Sequence, residues 1–115
     1  MSRFLRVAAI ATVLLVTAFV PATGWAQLTR GTISGTIKDN TGALLPGVTI
    51  IITNNATGVV RTVVTDASGF YRAPALEPGT HTVKAELQGF KALENREVPV
   101  IPNSEATINF SLDVG

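Results

Sequence analysis

The chain has 115 residues, enough for one small domain, and carries nine lysines and arginines against eight acids, for a net charge of +1. It has no cysteine, which excludes disulfides, a thiolate nucleophile, and lipid attachment through a cysteine at a cleavage site. No lysine–arginine cluster stands in the body of the sequence, so the electrostatic footprint of nucleic-acid binding is missing.

The first 26 residues read as a secretory signal peptide. Arg3 and Arg6 form the basic start, and residues 7–20 are almost entirely apolar, with Thr12 and Thr17 the hydroxyls. Pro21 breaks the run, and Gly24 and Ala26 supply small residues for cleavage after Ala26. The apolar run of about 14 residues is short of the ~20 needed to span a bilayer as a helix, so the mature domain is not expected to span the membrane. Loss of Arg3 and Arg6 turns the net charge from +1 to one negative. Disulfide-free, threonine-rich export points to a bacterial periplasm or cell surface.

Residues 27–30 read as a short lead-in, and 31–115 as the domain. Residues 31–38 alternate: Ile33, Gly35 and Ile37 on one face, Thr32, Ser34, Thr36 and Lys38 on the other. Period two with β-branched residues predicts a strand. Asp39-Asn40-Thr41-Gly42 is a turn, because Asp and Asn bond nearby backbone and Gly tolerates positive φ. Pro46-Gly47 redirects the chain into the clearest strand, with Val48, Ile50 and Ile52 opposite Thr49, Ile51 and Thr53. Residues 54–58 return the chain into 59–65, where both faces carry valine and the inward set stays open.

Asp66-Ala67-Ser68-Gly69 turns into a strand over 70–73, and Pro78-Gly79 into another over 80–87, with His81, Val83, Ala85 and Leu87 on one face. Gly89-Phe90 leads to residues 91–97, which are good helix formers without a helical apolar stripe. Pro99 restricts 98–101 to an edge strand or none. Residues 105–112 then alternate as one strand, with Ala106, Ile108, Phe110 and Leu112 on one face. About seven strands with turns every ~8–12 residues predict an all-β, mostly antiparallel sandwich. Parallel pairing is not expected, since no crossover helix is available.

Gly35-Thr36-Ile37-Lys38-Asp39, Gly42, Leu45-Pro46-Gly47-Val48-Thr49-Ile50, Thr65-Asp66-Ala67-Ser68-Gly69-Phe70-Tyr71, Leu76-Glu77-Pro78-Gly79-Thr80 and Gly89-Phe90 together resemble the carboxypeptidase regulatory-like domain. Each element is a turn, and it is their order and spacing that carry the likeness. The resemblance implies a seven-stranded transthyretin-like (Ig-like) sandwich. It also implies an accessory role, since copies close behind a signal peptide are similar to the N-terminal extension of TonB-dependent outer-membrane receptors. The ending Ser111-Leu112-Asp113-Val114-Gly115 resembles the point where such receptors continue into plug and barrel. A domain of this kind is not expected to transport anything by itself. One departure stands out: His81 occupies a position where the family usually has an inward tyrosine.

His81 is the single histidine, and a catalytic or metal role would need partners. The hydroxyisourate hydrolases of this fold rely on several histidines and a tyrosine-containing C-terminal motif, and both are missing. Asp39 and Asp66 tempt a calcium reading, but each loop supplies one carboxylate where calcium wants six to eight oxygens. Lysine–asparagine crosslinks of related surface proteins need an inward lysine and acid. The comparable inward positions are Ile37 and Ala85, while Lys38 and Glu86 fall outward. Glycan binding needs exposed rings. The resemblance places Tyr71 inward, Phe110 sits on an apolar face, and Phe70 is the ring left over. No catalytic, metal or cofactor-binding residue is therefore assigned and no cofactor is expected. The reading is a non-enzymatic exported interaction domain, with a protein partner or the remainder of a receptor as its contact. A carbohydrate-binding module of the starch-binding-like type is the alternative.

Overall fold

A computed structural model describes residues 29–115. The segment read as a signal peptide lies outside the described residues. Eight strands follow in order: β1 (Gly31–Asp39), β2 (Thr49–Asn54), β3 (Val60–Val64), β4 (Phe70–Leu76), β5 (Gly79–Glu86), β6 (Leu93–Val100), β7 (Glu105–Thr107) and β8 (Phe110–Leu112). They form two sheets, one ordered β4-β1-β7 with β8 also on β1, the other β3-β2-β5-β6. The expected all-β sandwich is the observed architecture, with one strand more than the sequence suggested.

The core lies between the sheets. Ile33, Ile37, Tyr71, Ala73 and Leu112 face Val48, Ile50, Ile52, Val83, Ala85 and Val98, all essentially without solvent contact. These are the positions that period-two alternation selects on β1, β2 and β5. All five turn glycines read from the sequence, Gly42, Gly47, Gly69, Gly79 and Gly89, have positive φ. Gly69 shows why one of them admits no side chain. Its φ is +71°, and a Cβ there would lie 2.8 Å from the Ile37 carbonyl oxygen.

Three elements differ from the sequence reading. The run 105–112 is two strands, because the chain breaks step at Ile108 and Asn109. There the Ile108 N–H donates to the Ser34 carbonyl at 2.7 Å, and the Asn109 side chain accepts from the Thr36 N–H at 2.8 Å. Gly35 makes this approach feasible, since a Cβ at that position would lie 1.8 Å from the Ile108 carbonyl oxygen. Secondly, β7 and β8 pair with β1 in parallel. No crossover helix was needed, because the whole second sheet and β4 act as the connection. Thirdly, residues 93–97 belong to β6 despite their helix propensity, because pairing with β5 supplies their backbone partners. Pro99 does sit on an edge strand, as its missing N–H requires.

Candidate functional site

The two aspartates that invite a metal reading are turn acceptors. Asp39 Oδ1 accepts from the Thr41 hydroxyl at 2.6 Å, the Thr41 N–H at 2.8 Å and the Ala43 N–H at 3.0 Å. The Thr41 bond, followed by these backbone donors, holds its carboxyl below the ordinary value. Asp66 Oδ1 accepts from the N–H groups of Ser68 and Phe70 at 2.8 and 3.1 Å. Both are Asx turns that start the next strand. Among the described residues no three His, Cys, Asp or Glu side chains converge as a metal site would need.

His81 is 2% exposed. Its Nδ1 lies 3.0 Å from the Gly79 carbonyl, so this nitrogen carries the proton and donates. The ring borders a cavity of about 80 Å³ shared with Asn54, Arg30, Arg61, Glu77 and Ala75. That space suits a few waters. Arg61 donates to the Pro74 carbonyl at 2.8 Å, and Arg30 donates to the Ala75 carbonyl at 3.3 Å while pairing with Glu77. Ala75 has a φ of +58°, so the two guanidiniums hold a bent stretch of β4 at the mouth of the sandwich. Polar side chains of Arg30, Asn54, Arg61, Glu77 and His81 thus meet around one small cavity.

Tyr71 is the other buried polar ring. Its hydroxyl donates to the Ile108 carbonyl at 2.6 Å, and burial pushes the phenol well above its ordinary value. It pins the β7–β8 break against β4. Thr65 performs a similar service on the second sheet: its hydroxyl accepts from the Val48 N–H and donates to the Leu45 carbonyl, each at 2.8 Å.

The crosslink positions fall as the alternation predicted. Ile37 and Ala85 are fully buried, Lys38 is exposed, and Glu86 pairs with Lys84 at 2.9 Å on the outer face. That contact raises the Lys84 ammonium above its ordinary value. Phe70 is 42% exposed and stands opposite Thr36 on the outer face of the first sheet. An open groove nearby is lined by Thr36, Lys38, Asn40, Asn109, Phe110 and Ser111.

Sequence reasoning missed Arg61, Asn54 and Asn109. Asn54 is buried and accepts from the N–H groups of Ala56 and Thr57, closing the β2–β3 turn. Its signal was there in Asn54-Asn55-Ala56-Thr57-Gly58, an Asx-turn composition. Arg61 carried no such signal, because either face of β3 was open.

The chain resembles several known proteins in different ways. Its fold matches a candidate carbohydrate-binding protein from Bacteroides uniformis at a TM-score of 0.56 and 24% identity, over 70% of this chain and 40% of that one. It also matches the dioxygenase domain of a dioxygenase–carbohydrate-binding protein fusion from a cellulolytic Streptomyces at a TM-score of 0.60 and 18% identity, over 82% and 86% of the two chains. At these identities the likeness is one of fold. In sequence it is 32% identical over 83 residues to the TonB-dependent transporter Oar of Myxococcus xanthus, covering 70% of this chain and 8% of the transporter. The chain thus spans a small fraction of that relative's length. Residues 32–113 match the family model of the carboxypeptidase regulatory-like domain, and the chain belongs to that family.

Proposed function

We propose that the chain is the N-terminal periplasmic domain of a TonB-dependent outer-membrane receptor, exported by its first 26 residues, and that it works as a non-enzymatic contact module. The observation that carries this reading is the likeness to the transporter Oar over most of the described domain. The disposition of polar groups supports the non-enzymatic part. His81 donates to a backbone carbonyl beside the cavity it shares with two arginines, and Asp39 and Asp66 are spent on turns. No nucleophile–base pair is built around them. No helix among the described residues is long and apolar enough to cross a membrane. Sequencing the gene beyond the codon for Gly115 tests the reading. A frame continuing into plug-like and strand-rich barrel segments is expected, and an immediate stop codon would contradict the receptor assignment.

The exposed Phe70 favours a second reading, glycan recognition. Its ring stands on the face next to a groove rich in hydroxyl and amide groups. A glycan array with the exported domain tests this. Binding that Phe70→Ala removes would support the module reading, and no binding, or binding indifferent to that change, counts against it.

A further inference from the structure

His81 carries one ring nitrogen that the fold leaves unused. Nδ1 donates to the Gly79 carbonyl at 3.0 Å, and among the described residues that is the ring's one hydrogen bond. The residue is 2% exposed. Yet among the described residues no sealed side-chain nitrogen or oxygen lacks a partner. Nε2 therefore still meets open space, and the space that His81 borders is the cavity of about 80 Å³. The Gly79 carbonyl requires a donor, so the proton stays on Nδ1 and Nε2 offers a lone pair to the cavity.

Two guanidiniums border the same cavity. Arg61 donates to the Pro74 carbonyl, and among the described residues it pairs with no carboxylate. Arg30 donates to the Ala75 carbonyl and meets Glu77 at 3.8 Å, a loose pair in which both side chains are half in solvent. A guanidinium has more N–H groups than these contacts use, so both arginines keep donors to spare. Two arginines against one glutamate leave the cavity with an excess of positive charge. Much of the remaining lining is apolar, the buried Ile52 and Leu76 included.

We propose that this cavity binds a phosphate group that carries one proton, as inorganic phosphate or a phosphate monoester. Arg30 and Arg61 donate to its oxygens, the contact for which a planar guanidinium is suited, and its P–O–H donates to Nε2 of His81. That last contact selects the anion. Phosphate gives up its second proton near neutral pH, so it brings the donor that Nε2 needs. Sulfate, a carboxylate and a phosphodiester have no proton left there, and each would set an oxygen lone pair against that of Nε2. The space holds one small anion in place of a few waters. Glu77 is the one acid on the cavity, and it weakens the site by repulsion. The same proton makes binding pH-dependent. His81 stands between Asn54 of β2 and Val98 of β6, both neutral, and the charged groups around the cavity are Arg30 ahead of β1, Arg61 on β3 and Glu77 after β4. Above about pH 8, where free phosphate has lost the proton, affinity should fall about tenfold per pH unit. Such a site serves a receptor domain and a free-standing one alike.

His81 is the single histidine of the chain, so its imidazole proton resonances report on this site alone. The exported chain is titrated at fixed pH and matched ionic strength with inorganic phosphate, glycerol phosphate, sulfate and dimethyl phosphate. Inorganic phosphate, glycerol phosphate or both should move the resonances saturably, and the tighter of the two identifies the source as free anion or ester. Sulfate and dimethyl phosphate, which cannot donate to Nε2, should bind at least about tenfold more weakly. Arg61→Gln should weaken phosphate binding at least about tenfold through loss of a charged donor. Glu77→Gln, a change at the surface, should tighten it about twofold, and this variant decides the matter if Arg61→Gln fails to fold. Phosphate shifts no larger than those of sulfate would overturn the site. An affinity that Glu77→Gln leaves unchanged or lowers would overturn it too, as would one that stays level between about pH 7 and about pH 9.

Discussion

Replacing Tyr71 by phenylalanine tests the most specific polar contact in the core. The ring keeps its place among Ile33, Ile37 and Leu112, and one bond is lost, the 2.6 Å donation to the Ile108 carbonyl. A buried neutral hydrogen bond contributes about 0.5–1.5 kcal/mol net, and leaving the carbonyl unsatisfied adds to the cost, so Tyr71→Phe should destabilise the domain by about 1–2 kcal/mol. For a domain of this size that is a fall in melting temperature of roughly 5–12 °C. Removing the whole ring, as in Tyr71→Ala, should cost about 3–5 kcal/mol. The phenol also makes a pH prediction. Its folded-state pKa is raised above the unfolded value near 10. Its stabilisation is therefore complete below about pH 10 and drains away as pH rises toward the folded value. Above pH 10 the native chain should lose about 1.4 kcal/mol per pH unit more than Tyr71→Phe does. Thermal melts of both proteins over an alkaline series read this directly. Tyr71 is the only tyrosine in the chain, so tyrosinate absorbance reports its exposure independently. A melting temperature within roughly 1 °C of the native protein at neutral pH, or identical alkaline slopes, would refute the role given to the hydroxyl.

Further substitutions probe other joints. Gly35→Ala drives a methyl into the Ile108 carbonyl oxygen at 1.8 Å and should cost at least about 3 kcal/mol or abolish folding, whereas Gly42→Ala, with nothing within 4 Å, should cost only about 1 kcal/mol for its positive φ. Denaturant titration distinguishes the two. Thr65→Val keeps the shape but removes both hydroxyl bonds, to Val48 and Leu45, and should cost about 2–3 kcal/mol in the same assay. His81→Tyr places a larger ring against the 80 Å³ cavity and should raise stability by about 0.5–1 kcal/mol, a gain visible in the melting temperature. A loss there would mean that the histidine bond to Gly79 outweighs the filled space.

The turns and the central strands were legible because one local rule governs each. Asp39 and Asp66 bond their own turns, the glycines that follow take positive φ, and Val48, Ile50 and Ile52 alternate against threonines. Legibility ended where contacts far apart in sequence decide. Residues 105–112 alternate without a flaw, yet Ile108 and Asn109 break step because Gly35 and Tyr71, distant in sequence, make room for and bind that carbonyl. On β3, valines on both faces left alternation silent, and the choice falls to Arg61 reaching Pro74 and Thr65 bridging Val48 and Leu45. The parallel β1–β7 and β1–β8 pairs escaped because the connection is most of the domain rather than a local unit. As for a site, the sequence marked His81 as a departure from its family, and the cavity it shares with Arg30 and Arg61 could be seen only in three dimensions.

If the sandwich serves as the periplasmic contact module proposed above, it travels as part of a much longer outer-membrane chain. The most direct measurement is an immunoblot of fractionated native cells with antibody raised against the domain. The expected band is far larger than the 12.1 kDa of this chain, recovered with the outer membrane and digested by protease only after the periplasm is opened. A product near 12 kDa released with the soluble periplasm, or one retained in the cytoplasm, would contradict it.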